Sequence, residues 1–593
     1  LCAFGLFDHS FWSGNDTREG AMISEMARTH TWVTPVFNGA HYFEKPPLLH
    51  WTGVIFCRIF GVVNEGLVRL PAAIYAFFTL LIVISWARSL DREAAGFAAA
   101  FMCATSALFF EYARIVLTDS ALTFMVVFSL WLFWRAYTAQ KRIIVQYLLF
   151  LFVSAFSFYA KGLIGPGMIW LSVMAWLCFQ KRFRLALLLP LAFILVFAVV
   201  LAPWVFALWK TGGSLYLYKV FWENQFGRFL YFNDLTLPLD PYLVHKEPVY
   251  FYLLSLPVRL LPWTLLVIPA LYYWFRRASP LKDELALFLK TSLLAFAFLL
   301  HISSAKAACY ALPLFPLIFL MTGIWLEDEA VAWPATFTKP SACPDAGLAT
   351  PATPQAWQAA WSSWLVRRLI IITFVLTGIA IVAVPAAYLL AFFFGMQAVR
   401  TPCAATGWAC FLIALIAVVV GFILGKKIRL VFMDGKRRTA LLTMPVVVAV
   451  IGVFGGAAFV PAVDYYRTYV PFSRMVQGEL NTGRRIAFGS DSERDLGAFM
   501  FYLDSRLDTV SFTNRVSLDS FLRDKREPVG IIVPTKELKL VLHQLRDLPF
   551  RIKQAEHAGK KSDSFRLITM DPARKEEAEP PKPKSGRPKR AGK

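Results

Sequence analysis

Long apolar runs dominate the chain, and the polar residues between them gather in short clusters instead of alternating at helical or strand spacing. A helix that crosses a membrane needs about 20 mostly apolar residues. Runs that meet or approach that length lie at 67–89, 95–111, 119–137, 143–160, 163–180, 185–209, 257–275, 285–303, 307–326, 369–394, 407–425 and 439–461. They predict a mainly α, polytopic membrane protein. The opening LCAFGLF reads as the tail of one more apolar helix, truncated here, which brings the expected count to about 13 spans and leaves no start from which a signal peptide can be judged.

Three stretches break the pattern. Residues 8–66 are rich in His, Asp and Glu, with a helical stretch at AMISEMART; residues 327–366 are rich in Pro, Ala and Thr and read as a linker. After 461 come RRIAFGSDSERDLGAFMFYLDSRLDTVSF, PVGIIVP, KELKLVLHQLRDL, FRIKQAEHAGKK and SFRLITM. Short β-rich runs bracketing a helical pattern predict a small α/β domain. The expected organisation is a transmembrane domain over 1–461, a soluble domain over 466–571 and a disordered Pro/Lys tail over 572–593.

Composition removes the other classes. Apolar residues make up 57% and charged residues 17%, with a mean hydropathy of +0.54, whereas soluble domains carry about 45–50% and about 25%. The 54 Phe and 19 Trp are too much apolar surface for a disordered chain. The net charge of +22 arises from 61 basic and 39 acidic residues, and the basic ones sit between apolar runs and in the tail. The positive-inside rule and anionic headgroups account for them, so no nucleic-acid partner is expected. The 8 Cys are scattered without a CxxC pair, which signals neither a disulfide framework nor a zinc site.

Lys141-Arg142, Lys181-Arg182, Arg276-Arg277, Arg367-Arg368, Lys426-Lys427 and Lys436-Arg437-Arg438 fall on alternate connections, which marks one face as cytoplasmic. The opposite, extracytoplasmic face then receives 8–66, 112–118, the turns at 160–163 and 303–307, 210–256, 395–406 and everything after 461. A polybasic tail on that side runs against the rule, which gives distant tails little weight. The concentrated polar residues share this face. They are Asn15-Asp16-Thr17-Arg18-Glu19, Tyr42-Phe43-Glu44-Lys45 before Pro46-Pro47, Glu111 to Arg114 with Asp119, Lys161, Glu223-Asn224 with Arg228, His245-Lys246-Glu247, and Lys306 with Tyr310. Polar groups beside a bilayer are costly, so a shared cavity is expected.

The stretch NDTREGAMISEMARTHTWVTPVFNGAHYFEKPPLLHW resembles the first periplasmic loop of bacterial lipid-linked-sugar glycosyltransferases related to the aminoarabinose transferase of lipid A. These are distant relatives of the protein O-mannosyltransferases and share the GT-C membrane architecture. FWENQFGRF, HKEPVYFYL and AKAACYALPLFPL match in order, so the resemblance covers roughly residues 12–320. It implies a multi-pass protein of the bacterial cytoplasmic membrane that moves a monosaccharide, with inversion, from a polyprenyl-phosphate donor to a lipid, protein or envelope-glycan acceptor. By resemblance Asp16 is the carboxylate that takes or steers the acceptor proton, and Asp119 is the second family carboxylate. Both also read as helix caps, Asp16 with a reciprocal Glu19. Lys45, stiffened by Pro46-Pro47, Arg228, Lys306 and Lys161 are candidates for the departing phosphate; snorkelling is the alternative for Lys45 and Lys161. Tyr42 and Tyr310 are candidates for donor contact, against an interfacial belt role. Glu44 and His245 suit a divalent metal ion, against simple pairing of Glu44 with Lys45 or Arg228. Trp204, Trp209 and Trp222 read as an aromatic belt. The runner-up is a transporter or flippase of lipid-linked sugars, which predicts broken helices at mid-membrane and internal repeats. Neither is visible. A membrane scaffold presenting the 466–571 domain leaves the charged clusters unexplained.

Overall fold

Among the described residues, the apolar runs up to residue 326 are helical, though not each as one unbroken span. The computed structural model describes residues 2–12, 14–227, 247–276, 283–303, 306–332, isolated positions between 333 and 467, and most of 468–571. By contacts the chain divides into two units, Leu1–Tyr466 and Arg467–Lys593.

In the first unit, helix α1 (Gly14–Thr29), a two-stranded hairpin of β1 (Val36–Phe37) and β2 (Ala40–His41), and helix α2 (Leu48–Phe60) form the segment before the first long helix. Then follow α3 (Glu65–Arg88), α4 (Glu93–Thr105), α5 (Ala107–Tyr112), α6 (Thr118–Thr138), α7 (Ile143–Phe156), α8 (Phe158–Lys161), α9 (Ile164–Phe179), α10 (Phe183–Leu217), α11 (Phe251–Arg259), α12 (Thr264–Arg276), α13 (Asp283–Ile302) and α14 (Leu314–Ala332). α3 starts cleanly because the Asn64 side chain accepts from the Leu67 amide at 2.9 Å, with Glu65 in the first turn and Arg88 in the last.

Thirteen full-length spans are not what the described residues contain. Five helical stretches are long and apolar enough to cross a membrane: Glu65–Arg88, Thr118–Thr138, Ile143–Lys161, Phe183–Phe226 and Glu284–Ile302. The run 95–111 is split at Ser106, whose extended backbone separates α4 from α5. The run 257–275 is broken around Pro262, which has no amide to continue α11. Within the run 163–180, α9 has 16 residues, and α14 carries Glu327, Asp328 and Glu329 near its end. The runs 369–394, 407–425 and 439–461, and the tail 572–593, lie outside the described residues.

The bundle is knit by aromatic rings from α6, α9 and α13. Trp134 stacks on Phe288 at 5.6 Å between centroids, and Trp176 meets Phe288 edge-on at 5.6 Å. α14 approaches α4 closely at Gly323, where a Cβ would come within 2.4 Å of the Ala95 carbonyl oxygen. Small residues allow such backbone contact between membrane helices.

The second unit is a separate α/β fold. It holds α15 (Val470–Asn481), β3 (Arg485–Phe488), α16 (Glu493–Leu503), β4 (Asp508–Thr509), β5 (Val529–Pro534), α17 (Leu538–Gln544), β6 (Arg551–Lys553) and β7 (Phe565–Met570). The sheet order is β4-β3-β5-β7-β6, with β3 parallel to β4 and β5, and β7 antiparallel to β5 and β6. β5, VGIIVP, is buried along its whole length, as a central strand covered on both faces requires. Its Ile531 pairs with Ile568 of β7 in the core.

Candidate active site

Asp16 is not the cap of α1. The helix starts at Gly14, so Asp16 sits inside the first turn with 2% exposure, and its carboxylate leaves the helix for distant chain. Oδ1 accepts from the Val116 amide at 2.6 Å, and Arg69 Nη2 of α3 lies 3.5 Å from Oδ2. Burial raises its pKa above the ordinary 3.8, and Arg69, the Val116 amide and His9 offset this only in part. A carboxylate fixed in place with raised proton affinity has the property a general base needs.

Glu19, one turn further along α1, is a hub. It has no exposure; Oε1 accepts from Lys45 Nζ at 2.6 Å, Oε2 lies 2.9 Å from His50 Nε2, and Arg18 Nη2 is 3.3 Å away. Burial works to raise its carboxyl, yet Lys45, His50 and Arg18 together outweigh it and hold the group well below the ordinary 4.5. From its spacing to Asp16, Glu19 reads only as a capping partner. The signal that could have exposed it is its place beside Arg18 in the same motif as Lys45 and His50. Lys45 therefore does not snorkel. Glu44 does not pair with it either: its Oε2 takes a short hydrogen bond from the Tyr42 hydroxyl and lies 3.7 Å from Arg18 Nη1.

Asp119 falls in the first turn of α6 behind Leu117 at the cap position, and it too leaves its helix. Lys161 Nζ donates to its Oδ1 at 2.6 Å, while Oδ2 is buried without a hydrogen-bond partner. The same ammonium stands 4.2 Å from the centre of the Tyr310 ring, so Lys161 is engaged by both Asp119 and Tyr310. Val116, which holds Asp16, is three residues before Asp119, and Lys45 is within electrostatic reach of Tyr310. One region thus gathers Asp16, Asp119, Lys45, Lys161 and Tyr310. Lys306 is buried, but its Nζ is engaged within its own turn by the Ser303 carbonyl at 2.6 Å.

An apolar groove of about 700 Å³ is lined by Trp32, Trp51, Phe156, Tyr159, Val200 and Trp204, among others. Trp51 adjoins His50, and Tyr159 lies two residues before Lys161. Trp204 is a wall of the groove and not a belt residue: it is buried, and its Nε1 donates to the Val33 carbonyl at 2.7 Å. Trp209 and Trp222 are exposed.

Arg228 and His245 lie outside the described residues. Among the described residues no group of three or more His, Cys, Asp or Glu side chains could hold a metal ion. Glu44 faces the Tyr42 hydroxyl and the Arg18 guanidinium. Cys2, Cys57, Cys103, Cys178 and Cys309 are free thiols.

The fold is that of a mainly helical, multi-pass membrane protein of GT-C type. Residues 44–209 match the family described as dolichyl-phosphate-mannose-protein mannosyltransferase. The undecaprenyl phosphate-alpha-4-amino-4-deoxy-L-arabinose arabinosyl transferase of Pseudomonas paraeruginosa is 30% identical over 335 residues, 54% of this chain and 58% of its own length. That of Pseudomonas fluorescens is 29% identical over 347 residues, 56% of this chain and 60% of its own. The chain thus spans somewhat over half the length of the curated relatives it matches. The crystal structure of ArnT from Cupriavidus metallidurans bound to undecaprenyl phosphate superposes with a TM-score of 0.69 at 15% identity, covering 96% of each chain. Its apo form gives 0.66 at 16%, covering 96% of this chain and 95% of that one. The chain has the ArnT fold and is related in sequence to the aminoarabinose transferases, as the motif after Asn15 implied.

Proposed function

We propose that the protein is an inverting glycosyltransferase that moves a monosaccharide from a polyprenyl-phosphate donor to a lipid such as lipid A, a protein or an envelope glycan. The observation that carries this reading is a buried cluster of carboxylates and cations beside an apolar groove, a combination suited to a charged headgroup on a long hydrocarbon chain. Asp16 removes the proton of the acceptor hydroxyl as its oxygen attacks the anomeric carbon. The bond from that carbon to the phosphate oxygen breaks, and polyprenyl phosphate leaves with the electron pair. Lys45, anchored by Glu19, and Lys161, anchored by Asp119, stabilise the charge that develops on the phosphate, joined by Arg228 and Lys306. Tyr310 and Tyr42 orient the headgroup, and the groove takes part of the prenyl chain.

The reading extends to topology. Thirteen spans over 1–461 place the cluster and the 466–571 domain on the outer side of the bacterial cytoplasmic membrane, with 572–593 as a free basic tail. A divalent ion between Glu44 and His245 belongs to the same proposal, and chelator treatment of the purified protein tests it. The transferase itself is tested by release of polyprenyl phosphate from a panel of labelled polyprenyl-phosphate sugars, with envelope lipids and proteins as acceptors. Wild type is expected to turn over one donor, and Asp16→Asn to lose about 10²–10⁴-fold in kcat, the usual span of general acid–base catalysis. Movement of the labelled lipid across a bilayer by both proteins, with no phosphate released, would replace the enzyme with a flippase.

A further inference from the structure

Among the described residues Arg69 is the most fully enclosed Lys or Arg near the site, with no exposure in the first turns of α3. A buried guanidinium beside a buried carboxylate ordinarily closes into a bidentate pair at about 2.7–2.9 Å. This one does not. Nη1 donates to the carbonyl oxygens of Leu6 at 3.2 Å and His9 at 2.9 Å, Nη2 donates to Ser10 at 2.9 Å, and the Phe11 ring lies 5.1 Å from Cζ. With these bonds made, Nη2 stops 3.5 Å from Asp16 Oδ2. The strap that holds it is itself anchored: Asp464 Oδ1 accepts from the Ser10 amide at 2.9 Å, Ser10 Oγ at 2.5 Å and Trp12 Nε1 at 2.7 Å.

We propose that Arg69 is the positioning residue of Asp16, held by the Leu6–Ser10 carbonyls at a fixed stand-off that supplies charge to the carboxylate without capping the oxygen that takes the proton. The inference rests on the transferase reading for the purpose of the proton but not for the geometry. A closed Arg–carboxylate pair lowers a carboxyl pKa by about 1–3 units and weakens it as a base; a guanidinium committed to three backbone acceptors steadies the anion from 3.5 Å and takes away less of its basicity. The charged or titratable groups that face Asp16 are Arg69 from α3 and His9 from the strap, with the uncharged Val116 amide on the third side.

The test compares wild type, Arg69→Lys and Arg69→Gln, all in a His9→Gln background, which removes the imidazole that also faces Asp16. The first readout needs no activity: the pH midpoint of Asp16 labelling by dicyclohexylcarbodiimide, which reacts with protonated buried carboxyls, followed by mass spectrometry. Arg69→Gln is expected to move the midpoint upward by about one unit, a tenfold change in proton affinity, and Arg69→Lys to restore most of it. The second readout is the kcat and KM split: Arg69→Gln lowers kcat about tenfold or more with donor KM changed less than about threefold, and Arg69→Lys recovers only part of kcat because an ammonium cannot reproduce the fork. An unmoved midpoint, or a raised KM at constant kcat, overturns the role. Should Arg69→Gln fail to fold, Asp464→Asn loosens the far end of the strap; a fall in kcat at constant KM supports the proposal and an unchanged kcat overturns it. A shifted midpoint in a protein that turns over no donor refutes the transferase and leaves the positioning intact.

Discussion

Lys45 can serve a phosphate only if it stands still, and a four-carbon ammonium side chain does not do so unaided. Glu19 immobilises it. Because Glu19 faces Lys45, His50 and Arg18 with no exposure to solvent, neutralising it strands buried positive charge, a change that costs about 3–5 kcal/mol when one partner of a buried pair is removed. Glu19→Gln is therefore expected to lower Tm and to raise donor KM roughly tenfold, about 1.4 kcal/mol of binding, measured by thermal scanning and steady-state kinetics in detergent. The pH dependence has a definite sign. A carboxyl held below its ordinary 4.5 stabilises the fold above that value and loses its contribution as pH falls through its depressed one. The Tm gap between wild type and Glu19→Gln should thus be full at pH 5 and above and close only in more acidic buffer.

At the scale of elements, the helices were legible because apolar length is a local property. α1 was visible in AMISEMART, and β5 in PVGIIVP. What composition could not supply was where long apolar runs break: Ser106 and Pro262 interrupt runs that hydropathy alone reads as continuous. The carboxylates were misleading in another way. Asp16 and Asp119 both have cap spacing, yet each bonds a partner far along the chain, Val116 and Lys161, at separations of 100 and 42 residues. Local propensity cannot see such contacts; the family motif pointed to these residues without giving their partners. The short turn after α8 shows how finely one of them is set. Gly162 has φ of +74°, and a Cβ there would come within 1.8 Å of Gln225 Oε1, the atom that accepts from the Leu163 amide at 2.9 Å. Gly162→Ala is expected to cost about 1–3 kcal/mol and, by displacing the adjacent Lys161 from Asp119, to lower kcat about tenfold. A variant that keeps wild-type kcat and Tm would show that the turn is slack.

For the whole molecule, the second unit carries a core of its own, with Ala487, Ile531, Val533, Val541 and Ile568 buried among five strands. Excised as residues 467–571, it is expected to unfold in a single cooperative transition in urea, followed by circular dichroism; a gradual, non-cooperative loss of signal would mean that its core is incomplete. The first unit has the opposite character. Asp464 holds Ser10 across 454 residues of chain, so the strap around Arg69 closes only after nearly all of the unit exists. At about 5–20 residues per second of synthesis, residue 10 waits roughly 20–90 s for its partner. A half-made chain therefore already holds the Lys45–Glu19 and Lys161–Asp119 pairs of its early segments, but not the anchored strap around Arg69, which waits for Asp464.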